Sequence, residues 1–246
     1  MTKLVIKMDF EALLFDLDGT LLYFEPEAFI KTYLGAAAKF FIDLVPNPET
    51  FYTELLKSTD VMENGDNGNT TTLIDFMEDF CPKFDVDCET LRKRFLHFYE
   101  TEYKAIKPLI SKMEGASELL QNLKKLHPEK KLILATNPVF PFIAVRKRME
   151  WGGVPENVFN LITHAENSNY CKNNSNYWLN IAKKTAIDPQ KSLMVGNDGY
   201  RDMVAKKYGY KTFLVETAFE NEENMTEDIM PDYRGTLEDL HNLIFK

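Results

Sequence analysis

The sequence predicts an α/β protein, a three-layer parallel sheet core carrying one large helical insertion. Three observations predict it. Ala12-Leu13-Leu14-Phe15 is a short continuous apolar run that ends in Asp16-Leu17-Asp18-Gly19-Thr20, the pattern of a fully buried parallel strand closed by a turn. From about Lys107 onward, short apolar runs alternate with amphipathic segments, which implies βαβ units with right-handed crossovers. Between these two regions, Leu21 to about Lys107 has helical periodicity almost throughout and holds 15 of the chain's 31 aromatic residues.

Taken in order, residues 3–7 are apolar and basic, and add a minor strand or pack beside the first one. Ala12–Phe15 is the first core strand. Pro26 suits the first turn of a helix running to about Val45. Asn47-Pro48-Glu49 supplies a cap, a first-turn Pro and an early acid for a helix to about Ser58. The polar stretch 63–69 with its two Gly is a loop, read first as a solvated helix connection; Gly65–Asn69 is also the insertion's candidate for facing the active site. Thr70–Phe80 and Asp87–Ala105 complete the helical block; Leu91, Phe95, Phe98 and Tyr99 fall on one face. The aromatic residues here are expected to form a core rather than a substrate cage. Beyond Lys107 the expected order is helix Gly115–Leu126, strand 131–137, helix Pro141–Glu150 stopped by Gly152-Gly153, and strand Val158–Thr163. Helix Asn174–Thr185, strand Ser192–Val195, helix Tyr200–Tyr208 stopped by Gly209, strand Thr212–Val215 and helix Leu237–Phe245 follow.

Composition narrows the function. Acidic residues (38) exceed basic ones (29), for a net charge of −9, which disfavours nucleic-acid backbones while leaving room for a small phosphorylated substrate beside one local cation. No apolar run of 18 residues exists, so no membrane-spanning helix is expected. The N-terminal residues do not read as a signal peptide. Cys81, Cys88 and Cys171 suggest no disulfide framework, and a reducing, cytoplasmic setting is the expectation.

Ligands in open α/β sheets gather at the carboxyl ends of the strands, and the polar residues at those ends form a set. Asp16 and Asp18 share one side of an extended chain. Their mutual repulsion calls for a bound cation or for a division of labour between nucleophile and proton shuttle. Thr136 and Asn137 follow the second core strand, where a hydroxyl or N–H can meet a phosphate oxygen. Lys172 precedes a helix start, against the macrodipole preference, which suits an anion site. Cys171 beside it reads as a packed side chain, and His164 as a surface residue. Asp198 and Asp202 straddle a Gly turn after the fourth strand, as carboxylate ligands of a hard cation or as helix caps.

In order and placement these residues resemble the four motifs of the haloacid dehalogenase superfamily. Asp16-Leu17-Asp18-Gly19-Thr20 resembles the first, Thr136 the second, Lys172 the third, and Gly196-Asn197-Asp198 through Asp202 the fourth. The resemblance implies a Rossmann-like catalytic core over 1–22 and 106–246, with a helical cap over 23–105. It implies an Mg²⁺-dependent phosphohydrolase that acts on a small phosphate ester through an aspartyl-phosphate. Asp16 would be the nucleophile and Asp18 the acid and base; Thr136, Asn137 and Lys172 would bind phosphate; Asp16, Asp18, Asp198 and Asp202 would hold the metal. Dehalogenases of the family lack a carboxylate at the position of Asp18, so Asp18 points to a phosphatase. A phosphomutase is the alternative, and a non-catalytic binding protein on the same fold is disfavoured by the retained Asp16, Asp18, Lys172 and Asp198. Two positions depart from the pattern. Asn173 follows Lys172 where the family often has Pro. Asn197 follows Gly196 where it often has Asp, so either Asn197 or Asp198 takes the first place of the fourth motif.

Overall fold

In the computed structural model, which describes residues 10–245, the first core strand is β1 (Ala12–Phe15), buried at all four positions. The strand expected over residues 3–7 lies outside the described residues. After a turn the chain forms the two-residue strand β2 (Leu22–Tyr23) and enters a run of helices. Helix α1 (Pro26–Phe41) starts on its first-turn Pro, with the Glu25 carboxylate accepting the N–H groups of Glu27 and Ala28. Helix α2 (Pro48–Asn64) is capped by Asn47 and runs six residues past its expected end, because nothing breaks it before Gly65. Within that extension Thr59, Met62 and Glu63 face the rest of the molecule. Helix α3 (Thr72–Phe80) begins two residues late. The Thr72 N–H donates to the Ser168 carbonyl (2.9 Å) and its hydroxyl to the Pro138 carbonyl (2.7 Å), which ties the helix start to the loops beneath it. Helix α4 (Cys88–Thr101) is capped by Asp87 and buries Leu91, Phe95, Phe98 and Tyr99, the face read from the sequence. It tightens into 3₁₀ turns over Glu102–Leu109, and β3 (Ser111–Lys112) returns antiparallel to β2.

One expectation is corrected here. Cys81 and Cys88 are joined by a disulfide, with Cα atoms 5.2 Å apart. The tight turn between α3 and α4 brings the two residues within bridging reach, a proximity that cysteine count alone does not reveal. Cys171 is free and buried.

The alternating half follows as α5 (Ala116–Leu126), β4 (Lys131–Leu134), α6 (Phe142–Gly152), β5 (Leu161–Ile162), α7 (Ser175–Thr185), β6 (Ser192–Gly196), β7 (Lys211–Val215), β8 (Tyr233–Gly235) and α8 (Leu237–Phe245). The sheet order is β5-β4-β1-β6-β7-β8, and every neighbouring pair is parallel. This is the α/β, Rossmann-like class that was expected. The central strand β1 has Leu14 opposite Ile133 on one side and Met194 on the other. Strand alternation then divides the core. Leu13 and Phe15 pack with α5, α6 and α8 on one face of the sheet, while Ala12 and Leu14 pack with Tyr177, Trp178 and Met203 on the other.

Several boundaries differ from the sequence reading. The strand expected over Val158–Thr163 is reduced to two residues because Glu156–Val158 coils into a 3₁₀ turn. The helix expected at Tyr200–Tyr208 is a 3₁₀ run, Met203–Tyr208, ended by Gly209 at φ 94°. Strand β8 was not expected, since Tyr-Arg-Gly has no apolar run to mark it. The helices from Pro26 onward enclose their own aromatic core, with Phe41, Phe51, Phe80 and Phe98 fully buried. Among the described residues, no helix is long and apolar enough to cross a membrane.

Candidate active site

The sheet ladder delivers the candidate residues to one end of the molecule. The Asp16 N–H donates to the Val195 carbonyl (2.9 Å), and the Ala135 N–H to the Phe15 carbonyl (2.7 Å). Asp16, Thr136 and the loop after β6 therefore leave the sheet side by side. They line a cleft of about 240 Å³ together with Asp18, Asn137, Lys172, Asp198 and Asp202. Every site residue expected from the sequence lies on this cleft.

At its floor Lys172 joins two carboxylates. Its ammonium is hydrogen-bonded to Asp16 Oδ1 and lies 2.6 Å from Asp202 Oδ1. All three side chains are at least nine-tenths buried. Burial, only partly offset by Lys172 and reinforced by the charges of Asp202 and Asp18, pushes the Asp16 carboxyl up to about 8. Burial works against the Lys172 charge, but the two carboxylates beside it hold its proton well above the ordinary range. Burial also raises Asp202.

The remaining candidates are placed by directed hydrogen bonds. The Thr136 carbonyl accepts from the Thr163 hydroxyl (2.7 Å) and the Tyr177 hydroxyl (2.9 Å), which fixes the backbone beneath its side chain. Asn137 Nδ2 donates to Glu63 Oε1 (2.6 Å), and its Oδ1 accepts the Lys172 N–H (3.1 Å). The Asp198 carboxylate accepts from the N–H groups of Tyr200 (2.8 Å) and Arg201 (2.7 Å) and from Asn221 Nδ2 (2.7 Å). It therefore acts as a turn cap while lining the cleft. Asn197 Oδ1 accepts the Thr20 hydroxyl (3.0 Å), and Asn197 Nδ2 donates to the Ala218 carbonyl (2.7 Å). Asn197 thus clamps the loop after β6 to the turn after β1. Gly19 in that turn has φ +83°, and a Cβ there would lie 2.2 Å from Asn197 Nδ2; a left-handed backbone and a close neighbour together require glycine.

Residues outside the sequence reading complete the site. Arg148, 1% exposed, donates from Nε to Asp18 Oδ1 (3.1 Å) and from Nη1 to the Tyr103 hydroxyl (2.7 Å). Its guanidinium lies 4.6 Å from the centre of the Phe140 ring. Arg148 falls within the helix expected over Pro141–Glu150 and carries no motif that marks it as part of a site. The available signal was periodicity, since Arg148 lies on the buried stripe formed by Ala144, Val145 and Met149. Glu63, Arg201 and Glu220 also line the cleft, and Arg201 pairs with Glu63 at 3.2 Å. Glu63 is the last turn of α2, directly before the loop proposed to face the site; residues 64–69 do not line the cleft. Cys171 donates to the Met62 carbonyl at 3.8 Å, and burial raises its thiol well above the ordinary range. His164 pairs with Glu166 (2.7 Å) away from the cleft.

The donor chemistry fits a hard divalent cation. The lining is rich in carboxylate oxygen, and these groups press on one another: burial and the charges of Asp198 and Asp202 raise Glu220 as well. Among the described residues no three His, Cys, Asp or Glu side chains converge as a closed metal site. Mg²⁺ commonly takes one or two carboxylates and completes its shell with carbonyls, water and substrate phosphate.

A parallel α/β sheet with paired aspartates at the end of its central strand, and a buried Lys on the neighbouring loop, defines a class. A family model described as haloacid dehalogenase-like hydrolase matches residues 10–209, and the chain belongs to that family. Among solved structures it is similar to a haloacid dehalogenase-type phosphatase from Thermococcus onnurineus, at 20% identity and TM-score 0.60 over 96% of this chain and 98% of that one. It is also similar to YfnB of Bacillus subtilis, a haloacid dehalogenase-type hydrolase bound to magnesium, at 18% identity and TM-score 0.57 over 96% and 98%. The L-2-haloacid dehalogenase RSc1362 is similar at 13% identity and TM-score 0.57 over 97% and 100%. At these identities the likeness is one of fold. No curated protein sequence matches the chain significantly.

Proposed function

We propose that this hydrolase is an Mg²⁺-dependent phosphohydrolase acting on a small phosphate ester through an aspartyl-phosphate on Asp16. The observation that supports it most directly is the buried arrangement of Asp16, Lys172 and Asp202, with Asp18 two residues from the nucleophile. A phosphate dianion repels a carboxylate nucleophile, so positive charge must be fixed where the phosphoryl group sits. Lys172 supplies part of it and orients Asp16 through Oδ1. Asp16, Asp18, Asp198 and Asp202 would hold Mg²⁺, which would neutralise phosphate charge and keep Asp16 ionised. Thr136 and Asn137 would hold phosphate oxygens at the end of β4.

In the first half-reaction an Asp16 oxygen bonds to phosphorus and the ester P–O bond breaks. Asp18 gives its proton to the departing oxygen. In the second, Asp18 takes a proton from water as the water oxygen bonds to phosphorus, and the Asp16–phosphorus bond breaks to release phosphate. A halide leaving group needs no such acid, so Asp18 favours the phosphatase over the dehalogenase reading. The helices over 23–105 are the proposed cap. The acidic cleft and the net charge of −9 favour a small-molecule partner over nucleic acid, and nothing in this reading calls for a membrane.

Hydrolysis of p-nitrophenyl phosphate tests the proposal, measured with Mg²⁺, with EDTA and with Asp16→Asn. Turnover that needs the metal and disappears in the variant is expected. Folded, Mg²⁺-loaded protein that releases no phosphate would contradict it, and interconversion of phosphorylated sugars would then point to a mutase.

A further inference from the structure

A second cavity, of about 190 Å³, lies between the helices and the loops after β4 and β5. Helix α2 contributes Leu55 and Met62, α3 contributes Phe76 and Met77, and α4 contributes Phe95. Two residues, Thr59 of α2 and Val139 after β4, line both this cavity and the catalytic cleft. The two spaces therefore share a wall made by the helical block on one side and the β4 loop on the other.

The chemistry of the wall is selective. Its hydroxyls are already paired: Thr59 Oγ1 donates to the Leu55 carbonyl of its own helix (2.9 Å), and the Tyr33 and Tyr99 hydroxyls bond each other (2.9 Å). Burial pushes Tyr33 up to about 12 and Tyr99 well above its ordinary range, so both are neutral. The charged lining residues, Arg92 and Glu166, are exposed and paired with Glu89 (2.8 Å) and His164 (2.7 Å). A polar or charged ligand group would find few partners inside and would lose much of its hydration.

We infer that this cavity receives the apolar part of the substrate, so that the preferred phosphate ester is that of a hydrophobic alcohol. The phosphoryl group would lie on Asp16 and Lys172, and the hydrocarbon would pass Thr59 and Val139 into the space between α2, α3 and α4. The inference rests on the phosphohydrolase reading and names its substrate class; phosphates of sugars and other polyols are disfavoured.

The test is kcat/KM for n-alkyl monophosphates from ethyl to octyl, with Mg²⁺ and the full chain. Burying one methylene is worth about 0.8 kcal/mol, so kcat/KM should rise about fourfold per methylene, mainly through KM, until the cavity is full. Leu73→Trp places a ring from a partly buried lining position into the cavity and should flatten the series. Ile74→Trp, at the adjacent exposed position that does not line the cavity, should keep the slope. Hydrolysis of every ester with no chain-length dependence in the wild type would overturn this inference alone. A slope that survives Leu73→Trp would overturn the assignment to this cavity. Failure to hydrolyse any ester, p-nitrophenyl phosphate included, would overturn the phosphohydrolase reading and this inference with it.

Discussion

Arg148 Nε lies 3.1 Å from Asp18 Oδ1, and the same guanidinium donates to the Tyr103 hydroxyl at 2.7 Å. A core helix, α6, thus ties the proposed acid to the 3₁₀ run that follows α4. Tyr103 and Phe140 bury the Arg, so the Asp18 carboxylate has one fixed, charge-assisted partner. Arg148→Met should misplace Asp18. The effect should depend on the leaving group, because p-nitrophenolate departs without a proton and an alkoxide does not. An alkyl phosphate should lose about 10- to 100-fold in kcat, and p-nitrophenyl phosphate less than about fivefold. Equal losses on both esters would show that Arg148 acts on overall structure.

Lys172 is hydrogen-bonded to two buried carboxyl groups at once. Lys172→Met leaves Asp16 and Asp202 facing each other unpaired, and removing one partner of a buried ion pair costs about 3–5 kcal/mol. Thermal unfolding should shift down markedly and activity should vanish. Adding Asp202→Asn removes one of the two stranded carboxyl groups and should recover much of the lost melting temperature without recovering activity. A double variant no more stable than the single one would contradict this ion-pair account.

Gly196 closes β6 against the side chain it helps to place. A Cβ there would lie 2.0 Å from Asp202 Oδ2. Gly196→Ala must therefore push Asp202 off Lys172 or shift the strand end. We expect a fall in kcat/KM of at least about tenfold, equivalent to about 1.4 kcal/mol of transition-state stabilisation. Unchanged kinetics in a folded Gly196→Ala protein would show that the Asp202–Lys172 contact is dispensable.

Asp198 caps the turn that leads to Arg201 and is also assigned to the metal. Asp198→Ala should lose the cap, about 0.5–2 kcal/mol of stability, and should raise the Mg²⁺ concentration for half-activation about tenfold or more. A destabilised variant with unchanged Mg²⁺ dependence would make Asp198 a cap alone and give the first place of the fourth motif to Asn197.

The sequence made legible whatever is written in local patterns. The buried run Ala12–Phe15, the Asn47 cap and the Gly209 stop stand where periodicity and capping chemistry put them. The sheet class followed from alternation. Contacts between distant segments were hidden. Arg148 reaches Asp18 across 130 residues, and only its place on an apolar stripe hinted at burial. Glu63 entered the cleft because α2 continued past Ser58, where no breaker stood. The Cys81–Cys88 bond depends on a turn whose closeness no residue count expresses. Strand β8 is short and polar, and its pairing comes from β7 rather than from its own sequence.

The central claim is a covalent phosphoryl bond to Asp16. It is tested most directly by acid-quenching the enzyme during turnover of a ³²P-labelled phosphate ester with Mg²⁺. The account predicts label retained on the wild-type protein, released by hydroxylamine as an acyl phosphate, and absent from Asp16→Asn. Rapid hydrolysis with no labelled enzyme at any quench time, or label that persists in Asp16→Asn, would contradict it.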